Sequence, residues 1–255
     1  MIHPSAIVHP SAKIDRTADI GPYCLVGENV RVGARTKLLA HAVVTGYTTI
    51  GEDTTIHPFA SIGASSQDRK AVEEIAYTTI GDRTTIREYV SIHRATGEGQ
   101  VTSVGDDCLI LAYVHIAHNC IVGDDVTMSN LAQLAGHCVV EDHAGIGGMV
   151  GTHQFVRIGQ YSFIGGYTKV VRDVPPFLLV EGNPAEVYGL NSVGLRRAGF
   201  KRDVLSELKE AYKTIYRSDR NLSQAASSLR ESVSTDEGRA LLAFLEADSI
   251  RGIMK

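Results

Sequence analysis

The sequence predicts an all-β solenoid followed by a C-terminal α-helical domain, and three observations carry that prediction. An aliphatic residue recurs at every sixth position from Ile2 onward, and a mostly small residue recurs two positions before it. Beyond residue 188 the six-residue period gives way to helical spacing.

The aliphatic register runs Ile2, Val8, Ile14, Ile20 and on to Ile62. It returns at Ile80, Ile86 and Ile92, then from Val104 to Ile146, and at Ile158, Ile164 and Val170. The small class includes Ala6, Ala12, Ala18, Thr48, Thr54, Ala132 and Ala144. Strand side chains alternate with period two, so both classes face inward. Cys24, Cys108, Cys120 and Cys138 fall in the small class and are expected to fill the core. Glycine often follows the aliphatic residue, as at Gly21, Gly33, Gly51 and Gly105, where it suits a turn with unusual backbone angles. Six residues suffice for a short strand and a corner but not for a helix, so neighbouring coils must complete the hydrogen bonds.

Two polar stretches, 63–79 and 93–103, place charge where aliphatic residues belong and are expected to leave the wall as excursions. Pro175 and Pro176 cannot donate to a ladder and are expected to close the stack, giving a solenoid over 1–188. In 189–255, Val204, Leu205, Leu208, Tyr212, Ile215 and Tyr216 recur at helical spacing, and Thr235 precedes a second apolar run as a cap. Two or three helices are expected there.

A formal charge of −4 gives no global case for nucleic acid, and the four cysteines form no CxxC pair. No N-terminal stretch reads as a leader and no apolar run reaches the length of a membrane span, so the expectation is a cytoplasmic protein with no integral membrane segment.

Repeats without insertion between Val104 and Val170 allow corners of successive coils to be compared. If three hexapeptides make one coil of 18 residues, His118, Gly136 and Gln154 stack on three successive coils, with His137 and His153 one step to either side. None of these lies in an inward register, which weakens the reading of His118 as a packed core histidine. A zinc site would need three ligands converging at about 2 Å, which His115 and His118 on one strand and corner do not guarantee.

The [Ile/Leu/Val]-Gly-x-x-small-x repeat resembles the hexapeptide-repeat acyltransferases. That resemblance implies 18-residue coils and a left-handed parallel β-helix, against the usual right-handed rule for parallel crossovers. The motifs "SSQDRK", "HIAHNC", "LAGHCVV", "GTHQF", "DVPPF" and "SVGLRRAGF" are similar, in this order, to those of the UDP-N-acetylglucosamine acyltransferases that begin lipid A synthesis. The resemblance covers essentially the whole chain. It implies His118 as the general base and Gly136 as the backbone donor to the oxyanion. Asp68 and Lys70 would bind the sugar nucleotide from a neighbouring subunit's loop. His115, His137, His153 and Gln154 would line the acceptor and acyl site, Asn191 and Arg197 would contact the nucleotide, and Gly166 would set acyl length. It also implies a homotrimer, a UDP-sugar acceptor, and acyl carrier protein as co-substrate with no other cofactor. The basic run Arg196, Arg197, Lys201 and Arg202 suits both phosphate and an acidic carrier.

The chain departs from the family pattern at Asn119, where aspartate is common, and at Val193 and Ala198, where charged residues are. Acceptors bearing a 3-hydroxyl or a 3-amino group remain alternatives. So do a zinc-dependent, carbonic-anhydrase-like enzyme and a non-catalytic scaffold on the same fold, although no second catalytic domain accompanies the solenoid.

Overall fold

The computed structural model describes residues 1–72 and 74–255; Glu73, within the first expected excursion, lies outside them. Strands mostly two residues long form three parallel sheets of nine, eight and ten strands, which wind into a three-sided, left-handed β-helix. The first sheet holds His115–Ile116, Gln133–Leu134, Gly151–Thr152 and Lys169–Val170. The second holds Ile121–Val122 and Val139–Val140, and the third holds Thr127–Met128, Gly145–Ile146 and Phe163–Ile164. Cα partners such as His115 with Gln133 and Gln133 with Gly151 confirm the 18-residue coil.

The aliphatic register forms the core. Ile86, Ile110, Met128 and Ile164 are fully buried in one column of the third sheet. Each such side chain contributes about 1.5–3 kcal/mol on burial. The summed column outweighs any single polar contact and makes the wall a rigid mount for groups on its edges. All four cysteines are buried, and burial pushes the Cys108 thiol up to about 11.

The glycines act differently from the expectation. Gly21, Gly33, Gly51 and Gly105 do not adopt left-handed angles; that conformation falls two residues later, on Tyr23, Arg35, Asp53 and Asp107. What these glycines provide is close approach between coils. A Cβ at Gly33 would stand 2.5 Å from the carbonyl oxygen of Gly51.

Both excursions are shorter than the charge pattern suggests, because Ser61–Ala64, Tyr77–Ile80, Ser91–His93 and Val101–Val104 are strands. Ile62 pairs with Ile92 and Tyr77 with Val101, so the insertions add whole hexapeptides and keep the phase. The excursions pack on each other: the Ile75 N–H donates to Glu98 Oε2 at 3.0 Å and the Gly97 N–H to Glu74 Oε1 at 2.8 Å.

Pro175 and Pro176 do not end the stack. Leu178–Glu181 continues the third sheet in parallel, and Glu186–Leu190 turns back antiparallel to finish it. Four helices follow instead of two or three: α1 (Ser192–Arg197), α2 (Arg202–Tyr216), α3 (Leu222–Ser232) and α4 (Asp236–Glu246). Thr235 caps α4, its side chain accepting from the Gly238 N–H. The helices bury Leu208, Ile215, Leu229 and Leu241 with Phe177 of the solenoid. Buried Asp173 ties the chain's end to the wall, accepting from the Arg157 N–H at 2.8 Å and the Ser249 hydroxyl at 2.6 Å.

Candidate functional site

His118 occupies the turn between the first and second sheets. It is only 6 % exposed, although it stands outside the inward register. Its burial comes from the adjoining coil. A Cβ on Gly136 would lie 2.6 Å from both Cε1 and Nε2 of the imidazole, so the ring rests where a side chain at 136 would be. The Gly136 N–H donates to no atom of the described residues. An unpaired N–H beside an imidazole edge is the donor and base pair that acyl transfer requires.

The protonation of that ring follows from its neighbours. His118 Nδ1 lies 2.9 Å from Asn119 Oδ1. The same oxygen accepts the Thr96 N–H at 3.0 Å, while Asn119 Nδ2 donates to the Thr96 carbonyl at 3.0 Å. A backbone N–H can only donate, so the Asn119 atom facing it is oxygen, and the imidazole nitrogen facing that oxygen carries the proton. The lone pair is therefore on Nε2, toward Gly136. Asparagine supplies the acceptor that aspartate would, without its charge.

His137 lies edge-on to His118 with centroids 5.1 Å apart and stacks on Phe155 at 4.6 Å. Burial first, and then the neighbouring His118, push His137 below its ordinary value, while the charge of Asp68 acts in the other direction. His115 accepts or donates at Nδ1 with Ser91 Oγ, 2.8 Å away. Burial, then His93 and His118, lower it. His153 and Gln154 are exposed on the next coil. Thr152, a polar residue in the aliphatic register, accepts the Ala135 N–H at 3.1 Å next to Gly136.

Asp68 and Lys70 are joined by the Lys70 N–H donating to Asp68 Oδ1 at 3.0 Å. The first excursion folds back on its own wall, with His93 Nδ1 donating to the Ser65 carbonyl at 2.6 Å and the Thr96 hydroxyl to Ser66 Oγ at 2.8 Å. Held on its own wall in this way, Asp68 acts through its charge on His137 of the same chain, in the raising direction. A cavity of about 350 Å³, lined by Ser66, Asp68, Arg94 and Thr96, lies between the excursions.

Asn191 and Arg197 stand elsewhere. They line an apolar cavity of about 490 Å³ with Phe163, Leu179, Leu190 and Val193, on the third sheet. In a three-sided prism that face is opposite the edge bearing His118, so one chain does not unite them. Asn191 also caps α1, accepting from the Gly194 N–H and donating to the Tyr161 carbonyl at 3.0 Å. Gly166 is exposed at the edge between the third and first sheets, where its Cβ position meets only the Gly148 backbone, at 3.2 Å from the oxygen. Sequence reasoning missed Thr96, Ser66, Ser91 and Thr102, whose Oγ1 accepts the Asn119 N–H at 2.8 Å. Thr96 and Ser66 come in through the excursions, whereas Ser91 is the direct partner of His115 in the parallel ladder. Among the described residues, no three His, Cys, Asp or Glu side chains are grouped to hold a metal.

Comparison with known proteins agrees with this geometry. Residues 102–136 match the bacterial transferase hexapeptide family, which places the wall among the hexapeptide transferases. Residues 173–254 match the second domain of UDP N-acetylglucosamine O-acyltransferase. The chain is 44% identical over 207 residues to the acyl-[acyl-carrier-protein]–UDP-N-acetylglucosamine O-acyltransferase of Synechocystis sp., covering 81% of this chain and 75% of that one. With the Burkholderia orbicola protein of the same name, identity is 47% over 212 residues, covering 81% and 80%. The Francisella novicida UDP-N-acetylglucosamine acyltransferase structure superposes with a TM-score of 0.97 at 37% identity, covering 100% of this chain and 94% of that one. The chain belongs to the acyl-[acyl-carrier-protein]–UDP-N-acetylglucosamine O-acyltransferase family.

Proposed function

We propose that this enzyme transfers a 3-hydroxyacyl chain from acyl carrier protein to the 3-hydroxyl of UDP-N-acetylglucosamine, the opening step of lipid A synthesis. The observation that carries the reading is the His118 imidazole seated on Gly136, with Cε1 and Nε2 where a side chain at 136 would be and the Gly136 N–H without a partner among the described residues.

His118 Nε2 takes the proton of the acceptor hydroxyl as its oxygen attacks the thioester carbonyl. The developing oxyanion accepts the Gly136 N–H. Collapse of the tetrahedral intermediate breaks the C–S bond, and the imidazolium proton passes to the departing sulfur. The ester and the carrier thiol leave with atoms and charge balanced, and no covalent enzyme intermediate forms. Burial and neighbouring histidines lower His137 and His115, which favours their neutral forms beside His118. Asp68 and Lys70 hold the sugar nucleotide, and His153 and Gln154 continue the wall toward the acyl chain. Gly166 leaves the far end of the first sheet open, which favours longer donors.

The separation of Asn191 and Arg197 from His118 supports a homotrimer in which the third-sheet face of one chain closes the site of the next. Arg196, Arg197, Lys201 and Arg202 then offer cations to the diphosphate and to acidic acyl carrier protein. The chain divides into a catalytic solenoid, 1–188, and a helical domain, 189–255. No helix among the described residues is long and apolar enough to cross a membrane. The proposed donor, a diffusible carrier protein, is the reason to place the enzyme in the cytoplasm.

Mass spectrometry of the product tests the reading directly. Offered a series of acyl carrier protein thioesters with both acceptors, the enzyme should acylate UDP-N-acetylglucosamine and leave its 3-amino analogue slower. Acylation of the amine alone would reassign the acceptor, and no product from either would reject acyl transfer.

A further inference from the structure

We infer that Thr96 is a positioning residue that locks the tautomer of His118 and ties it to the loop bearing Asp68. The inference rests on the reading of His118 as base. Asn119 follows His118 in a left-handed turn, with φ 59°, and its amide is engaged on both sides by Thr96 alone. If the amide flipped, its NH₂ would face the Thr96 N–H and its oxygen would face the Thr96 carbonyl, so both bonds would be lost. Thr96 therefore keys the amide with oxygen toward His118 Nδ1, and this keying leaves Nε2 free.

Thr96 is itself anchored through its side chain. The hydroxyl donates to Ser66 Oγ at 2.8 Å, and Ser66 Oγ also accepts the Asp68 N–H at 3.1 Å. The chain of contacts runs Asp68, Ser66, Thr96, Asn119, His118, from the sugar-binding loop to the base. Any sugar nucleotide that orders Asp68 thereby also steadies the amide that sets the base. The Thr96 backbone contacts alone would act on Asn119 but leave it uncoupled from the first excursion. Removal of the hydroxyl should not unfold the excursions, because Arg94, Gly97 and Ile75 hold them through independent bonds.

Thr96→Val removes the hydroxyl and keeps the backbone and the shape; Thr96→Ser keeps the hydroxyl. The link is worth about one ordinary hydrogen bond, so Thr96→Val should lower kcat about five-fold. Thr96→Val should keep the single His118 tautomer, because the backbone bonds to the Asn119 amide remain. What it should lose is the coupling: in ¹⁵N NMR, UDP-N-acetylglucosamine should slow exchange of the Asn119 side-chain NH₂ in the wild type and not in Thr96→Val, and Thr96→Ser should restore both that slowing and kcat. Wild-type turnover with wild-type slowing in Thr96→Val would overturn the coupling, as would a Thr96→Ser protein no better than Thr96→Val. The two readings fail separately. Full turnover in His118→Ala would remove the base assignment, whereas the Asn119 exchange in Thr96→Val tests the relay whether or not His118 is the base.

Discussion

Two edges of the first sheet share one backbone and serve different ends. At the edge with the third sheet, the left-handed turn position carries Tyr23, His41, Phe59, Tyr89 and Tyr113, stacked at centroid spacings of 4.9–5.1 Å. Farther along, the same edge has Gly148 and Gly166 at the preceding turn position. At the edge with the second sheet, the same left-handed position carries Asn119, His137 and Phe155, preceded by His118, Gly136 and Gln154. Rings stacked on rings reinforce a wall. An imidazole seated on a glycine of the next coil is brought beside a bare peptide N–H. The fold supplies the repeat, and chemistry appears where one coil's side chain meets the next coil's missing one.

The contrast is broken most strongly at His118. His118→Ala should cost roughly 10²–10⁴ in turnover, the usual contribution of a positioned base, with an unchanged thermal melt. At the other edge, Gly166→Met should shift preference toward shorter acyl donors by roughly ten-fold in relative kcat/KM, measured with paired acyl carrier protein substrates. Unchanged selectivity would mean that the open edge does not limit chain length.

A smaller effect concerns pH. His115 and His137 have folded values below their ordinary 6.5. Between the folded and unfolded values the unfolded chain binds more protons, so stability is held above pH 6.5 and lost as pH falls through that window. Melting temperature should therefore decline from pH 7.5 to pH 5, and His115→Asn should flatten the decline. The smallest change is at the aromatic edge. Tyr113→Ala should lower stability by about 1 kcal/mol, read from denaturant melts, and leave kcat unaltered.

Much of this was legible in the sequence because a solenoid converts periodicity into position. A spacing of 18, the coil length that the family resemblance implies, placed His118, Gly136 and Gln154 in one column, and the cores of the hexapeptides followed from alternation. Contacts that depend on inter-coil distance were not legible. The glycines after the aliphatic residues looked like turn formers, but Gly33 is required by the carbonyl of Gly51 on the next coil, which a single hexapeptide does not reveal. Thr96 and Ser66 lie in excursions without a period, so nothing in their spacing announced a hydrogen bond across 30 positions. Asn119 stood out only as a departure from the family's aspartate; that its amide oxygen faces the His118 imidazole depends on Thr96, which fixes its orientation. Pro175 and Pro176 suggested an end to the stack, whereas the ladder resumes at Leu178 because the prolines occupy a turn between strands.

Gly136→Ala tests the central juxtaposition most directly, because it removes no side chain and leaves the backbone N–H in place. Its φ is not left-handed, so alanine is admitted by the backbone, and the nearest atoms to the added methyl are those of the movable His118 ring, at 2.6 Å. The ring must shift, and a misplacement of that size costs on the order of 10²-fold in rate. The account predicts a kcat down by about two orders of magnitude, with the fold and the Kd for UDP-N-acetylglucosamine little changed. A Gly136→Ala enzyme with near-wild-type kcat would contradict it.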